Sequence, residues 1–161
     1  MSENENKTTK YNWQGKPIFQ YMYTDEELDI VSDVVFVVAE YASNGNLYVG
    51  LEDAHTGEVF SDVTRNLERI EDDTVSRIKN VDECEGMARF LTKNGMGSLV
   101  DDRYEERYPN PGQIDYFKGF IPGGNVEERY PLFSFCPKKL KEVDPEGYKN
   151  FLKNNIKTKK T

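Results

Sequence analysis

Histidine is all but missing from this chain of 161 residues: His55 stands alone, with only two cysteines, Cys84 and Cys136. A structural zinc site needs about four Cys or His ligands at close spacing, and no C-x-x-C pair occurs. The calcium-loop pattern is missing too, so neither a metal nor a cofactor is expected. His55 falls in a turn sequence, a poor place from which to activate either thiol as a nucleophile. The chain carries no G-x-S-x-G, P-loop, dinucleotide-binding glycine pattern or H-E-x-x-H. Gly95-Met96-Gly97 follows a helix pattern instead of opening one, so it is no phosphate cradle. Long apolar runs are also lacking. Val34 to Ala39 falls far short of the roughly 20 residues that cross a bilayer, so no membrane partner is expected. The opening Met1-Ser2-Glu3-Asn4 has neither the basic nor the apolar part of a secretory signal. The expectation is a cytoplasmic protein with reduced thiols, both cysteines serving as small buried apolar side chains.

What is abundant is negative charge. Asp and Glu number 29 against 21 Lys and Arg, a formal net charge of -8. The excess is concentrated: residues 24–106 hold 21 acidic and 7 basic residues, whereas Lys138 to the end holds 8 basic and 3 acidic. Such a body repels phosphate backbones and is drawn to basic surfaces, so direct nucleic-acid binding by it is not expected. Bulk for a core comes from 9 Phe, 10 Tyr and 1 Trp, which excludes wholesale disorder.

The pattern divides the chain into a flexible N-terminus (1–10), a single α+β domain (11–153) and a basic flexible tail (154–161). Phe19, Tyr21 and Tyr23 alternate with polar and smaller residues, the period of a strand with one aromatic face. Thr24-Asp25-Glu26-Glu27 fits a capping box and predicts a short acidic helix to about Ser32. Val34–Tyr41, Leu47–Leu51 and Glu58–Val63, joined by turns at Asn44-Gly45 and Asp53–Gly57, predict a three-stranded meander. Arg65 to Asn80 is ambiguous. Asn80 or Asp82 caps a helix to about Lys93, with Met87, Phe90 and Leu91 inward and Asn94-Gly95 as its stop. Residues 97–131 read as loops and edge strands, including Tyr116 to Ile121. Leu132–Cys136 reads as a strand. Asp144-Pro145 starts a last helix whose core face is Tyr148, Phe151 and Leu152. The fold class is therefore α+β: an antiparallel sheet, a meander plus edge strands, with two or three helices packed on it.

A five-residue echo stands out: Glu105-Glu106-Arg107-Tyr108-Pro109 recurs as Glu127-Glu128-Arg129-Tyr130-Pro131. It reads either as two similar approaches to edge strands or as two arms presenting Arg and Tyr, residues favoured at interface centres. The acidic runs that include Asp25, Glu26, Glu27, Asp72, Asp73, Asp101 and Asp102 read as solvated faces or as a track of carboxylates for a basic cleft.

The run Val37-Val38-Ala39-Glu40-Tyr41-Ala42, then Gly45-Asn46-Leu47-Tyr48-Val49-Gly50-Leu51 and Gly57 to Leu67, resembles an uncharacterised bacterial family, domain of unknown function 4313. Phe90-Leu91 with Asn94-Gly95, and Asp144-Pro145-Glu146-Gly147-Tyr148, are similar to its later segments. Between Met96 and Tyr130 the chain departs from the family pattern. The resemblance implies a setting on plasmids, conjugative elements and phages, near anti-defence genes. It transfers no catalytic residue. The segment Val38 to Leu51 is also similar to the opening hairpin of acidic antirestriction proteins, which mimic DNA.

Together these features lead to an expectation of a non-enzymatic acidic binding protein of a mobile element. It would inhibit a host nucleic-acid-targeting defence protein, a restriction enzyme or a CRISPR effector, by occupying a basic surface. Its contacts would be Asp25, Glu26, Glu27, Asp72, Asp73, Asp101 and Asp102, with Arg107, Tyr108, Arg129 and Tyr130 as anchors. Two other readings stay open: an accessory module of conjugation that binds through Tyr116 and Phe120, and a small hydrolase built on paired carboxylates.

Overall fold

The computed structural model describes residues 10–25, 27–80, 86–107 and 126–154. Two antiparallel four-stranded sheets carry the fold, with five helices among the described residues, an α+β arrangement. The first sheet runs in chain order: β1 (Phe19–Asp25), β2 (Leu28–Glu40), β3 (Leu47–Asp53) and β4 (Val59–Asp62). In the second, β5 (Thr64–Arg65) pairs with β6 (Val75–Ile78), and β8 (Leu132–Phe135) lies between β6 and β7 (Gly97–Leu99). The helices are α1 (Met87–Lys93), α2 (Tyr104–Arg107), α3 (Val126–Arg129), α4 (Pro137–Val143) and α5 (Pro145–Asn154). The meander, the strand at Phe19 and the strand at Leu132 lie where the alternation of apolar residues places them.

Residues 28–32 overturn the predicted acidic helix. They form the start of β2, which pairs with β1 from Asp25↔Leu28 to Phe19↔Val34. A capping box is a local preference worth about 1 kcal/mol, whereas a hairpin here lets the β1 aromatics reach the core. Glu27 takes a left-handed backbone, φ 69°, in the turn. Tyr21 meets Phe60 of β4 at 5.8 Å between ring centroids and Phe90 of α1 at 4.9 Å. In a flat sheet β1 and β4 would stand about 14 Å apart. The first sheet is therefore curled, with its concave side filled. A bulge helps: Ser61 faces Leu51 but Val59 faces Glu52, so Phe60 is the extra residue and packs inward against the core.

The chain passes from the first sheet to the second at Val63, whose amide donates to Val49 O while its carbonyl accepts from Lys79. Ser76 Oγ donates to Leu47 O at 2.7 Å, a second tie between the sheets. The ambiguous stretch Arg65–Asn80 thus contributes β6, the strand that joins β5 to β8. It is held from outside by Asn46, which is buried. Asn46 Nδ2 donates to Asn66 Oδ1 at 2.8 Å and to Glu68 O at 2.6 Å, and its Oδ1 accepts from Ile70 N at 2.9 Å.

Beyond Val34, β2 outruns β1, and among the described residues no strand pairs with that edge. Lys16 Nζ donates to Phe36 O at 3.1 Å there, and Val38 N donates to Asp144 Oδ2 at 2.8 Å. The same carboxylate receives the Gly147 amide at 3.2 Å, so Asp144 caps α5 as its sequence position predicts. α5 crosses so close that a Cβ on Gly147 would overlap Val38 O and the Asp144 carboxylate. Helices thus cover the free edge of β2. α1 begins at Met87 with Gly86 as its N-cap; Asn80, expected as a cap, reaches the first turn from outside the helix, its Oδ1 accepting the Ala88 amide at 3.0 Å. Gly95 ends that helix at φ 74°. α4 was not anticipated, although Pro137 at its first turn and buried Leu140 and Val143 mark it. In α5, Tyr148 and Phe151 share the inward face, while Leu152 is 52% exposed because it lies one residue further round the helix. Cys136 is half-buried at the start of α4 instead of fully enclosed. Cys84, Asp82 and the segment Tyr116 to Ile121 lie outside the described residues.

Candidate functional site

The sequence-derived contact residues fall in separate places. Asp25 ends β1 opposite Leu28, and Glu27 is exposed in the turn that follows. Glu26 and Tyr108 lie outside the described residues. Asp72 accepts the Thr74 amide and hydroxyl, both at 2.9 Å, just before β6. Asp73 lies close enough to Tyr148 to help burial raise that phenol's pKa. Asp101 accepts the Arg103 amide at 3.0 Å and pairs with Arg107 at 3.1 Å, while Asp102 beside it is exposed.

β6 and β7 both run antiparallel to β8, so they point the same way. Asp72 and Asp73 precede β6 at the Phe135 end of β8, where Phe135 N donates to Thr74 O. Asp101 and Asp102 follow β7 at the Leu132 end, where Val100 N donates to Leu132 O. The length of β8 separates the two pairs by about 10 Å or more. They do not share one edge.

The echo does bring its two copies together. Both Glu-Glu-Arg triplets form one-turn helices, α2 and α3, and the Tyr104 hydroxyl of the first donates to Glu128 O of the second. The second copy is built into the fold. Arg77 is buried, and donates from Nε to Glu68, from Nη1 to Tyr130 O at 2.9 Å and from Nη2 to Glu127 at 3.0 Å. Burial alone would lower the Arg77 pKa, but the two glutamates outweigh it and hold the guanidinium charged. Asn80 N donates to Arg129 O at 3.2 Å, and the Tyr130 ring lies 5.7 Å below the Arg65 guanidinium.

The convex face of the first sheet gathers acids that the sequence reading passed over. Val34, Phe36 and Val38 point into the core, so by alternation Asp29, Val31 and Asp33 point outward along β2. Glu52 stands opposite Val35, and Asp62 opposite Gly50, on the same outer face. Asp33 and Glu52 are diagonal neighbours across the sheet, as are Glu52 and Asp62, about 7–8 Å apart in each case. Asp29 and Asp33 are about 13 Å apart along one strand. The row therefore runs Asp29, Asp33, Glu52, Asp62.

His55 faces Asp33, Nε2 to Oδ2 at 2.9 Å, and Lys79 reaches Asp62 at 3.9 Å. Asp53 turns the chain beside them: its Oδ1 accepts the amides of His55 and Thr56, at 2.8 and 2.9 Å, and these bonds hold its carboxyl below the usual pKa. Tyr48 lies back over Gly50, where a Cβ would collide with its ring, and its hydroxyl donates to Asp62 at 2.7 Å. Burial, then that hydrogen bond and the nearby Asp62, Tyr41 and Glu52, push the Tyr48 phenol far above its ordinary pKa.

Apolar side chains stand exposed among these acids. Met22 and Val31 are direct cross-strand partners, 64% and 54% exposed, and Val59 opposite Glu52 is 76% exposed. Trp13, 61% exposed, rests on the β3–β4 turn, its ring in reach of a Cβ built on Gly57. The signal for this face was present in the alternation Asp29-x-Val31-x-Asp33, but the capping-box reading placed the segment on a helix. Among the described residues no group of three or more His, Cys, Asp or Glu side chains is arranged to hold a metal. Among them, too, no helix is long and apolar enough to cross a membrane. No family model, no curated protein and no solved structure matches the chain.

Proposed function

We propose that this protein binds a basic protein surface and inhibits a nucleic-acid-targeting defence enzyme, a restriction endonuclease or a CRISPR effector, as a non-enzymatic acidic inhibitor of a mobile element. The observation that carries the reading is the row Asp29, Asp33, Glu52 and Asp62 on one convex sheet face, within a stretch of 21 acidic and 7 basic residues. Carboxylates about 7–8 Å apart from Asp33 to Glu52 to Asp62, with Asp29 about 13 Å from Asp33, offer a positively charged cleft fixed negative points on a rigid sheet, as a phosphate backbone does. The resemblance to domain of unknown function 4313 and to antirestriction proteins agrees with this reading but does not carry it. The test is a cleavage assay against a panel of restriction endonucleases and CRISPR nucleases. At least one enzyme is expected to be inhibited at about 0.05 M NaCl, with inhibition weakening as salt rises to about 0.3 M. Cleavage unaffected across the panel overturns the proposal. Inhibition indifferent to salt removes the electrostatic basis while leaving inhibition in place.

A further inference from the structure

The outer face of the first sheet is not a bare track of charge. On the β1–β2 ribbon, Met22 and Val31 form a directly opposed apolar pair, with Asp29 and Asp33 two residues to either side of Val31 on the same face. One strand further, Glu52 is paired with exposed Val59. Among the described residues, β2 between Leu28 and Ser32 pairs only with β1, because β3 ends at Asp53 opposite Val34 and the Ala54 amide, which donates to Asp33 O, is the last backbone contact on that side. Among the described residues, the pair therefore sits on a two-stranded ribbon that no third strand flanks. An exposed, directly opposed apolar pair framed by carboxylates offers a partner both contact and charge. An acidic frame selects a basic partner and disfavours a second copy of this chain, whose net charge is also -8.

We propose that this face docks an extended protein segment of the pattern basic-x-apolar-x-basic, in which every second residue is in turn arginine or lysine and apolar so that both kinds face the sheet, the apolar side chains seated on Met22, Val31 and Val59 and the basic ones on Asp29, Asp33 and Glu52. The inference deepens the proposed function and rests on its premise of a basic partner. It departs from pure charge mimicry in one respect. Apolar contacts lengthen the residence of a complex to whose hold and register the carboxylates at the contact also contribute. Binding then persists in salt that would dissociate a purely electrostatic complex.

Two synthetic octapeptides serve as probes of the full chain: in the arginine–leucine peptide every second residue is in turn arginine and leucine with serine between them, and in the arginine–serine peptide serine replaces the leucines. Affinity is read by titration calorimetry, with emission from Trp13, the sole tryptophan, as a local reporter. At about 0.3 M NaCl the arginine–leucine peptide is expected to bind at least about ten-fold more tightly. Met22→Thr with Val31→Thr retains β-branched or strand-compatible side chains at exposed sites. It is expected to weaken that peptide at least about ten-fold and leave the arginine–serine peptide unchanged. Asp29→Asn with Asp33→Asn should weaken both peptides. Equal affinities for the two peptides, no effect of the threonine variant, or no binding of either peptide overturns the inference. The nuclease panel is scored apart from this. Inhibition that survives Met22→Thr/Val31→Thr overturns the apolar anchor and leaves the broader function standing. Peptide discrimination without any nuclease inhibited does the reverse.

Discussion

At Asp144 a single buried carboxylate receives the amide of Val38, caps α5 through Gly147 and faces Lys16 Nζ at 3.6 Å. Each partner belongs to a different part of the chain, so one side chain ties the N-terminal loop, the free edge of β2 and the last helix together. Removing it leaves a buried amide without an acceptor and a helix without its cap. The first costs about 1–3 kcal/mol and the second about 1 kcal/mol. Asp144→Ala should lower unfolding free energy by about 2–4 kcal/mol in urea melts, with Asp144→Asn losing less because it keeps an acceptor. A loss under about 0.5 kcal/mol would mean that Val38 and Gly147 find other partners. The residue was visible in the sequence as an N-cap before proline. Its hold on Val38, 106 positions away, was not, because nothing local records a long-range acceptor.

Elements show the same division between local and distant causes. The meander, α1 and β8 follow from periodicity and turn residues, which act within a few positions. The β1–β2 hairpin was hidden because its capping-box letters are also local, and only the packing of Tyr21 on Phe60 and Phe90 decides against them. Likewise β6 has no distinctive pattern and is fixed by Ser76 on Leu47 O and by Arg77. The acidic face went unread for the same reason, since Glu52 and Asp62 join Asp29 and Asp33 only through register. Arg77 holds the segment Glu127–Tyr130 to β6, so Arg77→Met should cost about 1.5–3 kcal/mol. Hydrogen exchange should quicken first at the amides of Ile78 and Asn80, which donate to Pro131 O and Arg129 O.

Between β2 and β3, burial raises the pKa of Tyr41 as well as that of Tyr48. Such groups stabilise the fold fully below the unfolded tyrosine value of 10.0, and that contribution is lost as pH climbs through the folded values. Stability measured in urea should therefore fall above about pH 10, and Tyr48→Phe should make the fall shallower.

For the whole molecule, the net charge of -8 says nothing about where a partner binds; the layout does. Long-range attraction depends on total charge, so any three neutralised acids should slow association with a basic protein to a similar degree. Dissociation depends on contacts, and here position matters. Asp29, Asp33 and Glu52 lie on one face, while Asp72 and Asp73 lie at the opposite end of the second sheet from Asp102. Two charge-matched variants separate these effects: Asp29→Asn/Asp33→Asn/Glu52→Gln and Asp72→Asn/Asp73→Asn/Asp102→Asn. Against whichever nuclease the panel shows to be inhibited, surface-immobilised kinetics should give both variants a slower on-rate, within about three-fold of each other. Only the first should raise the off-rate, by about ten-fold or more, since charges at a contact act on dissociation. If the second variant accelerates dissociation instead, the partner grips the ends of the second sheet and the convex face is only solvated surface.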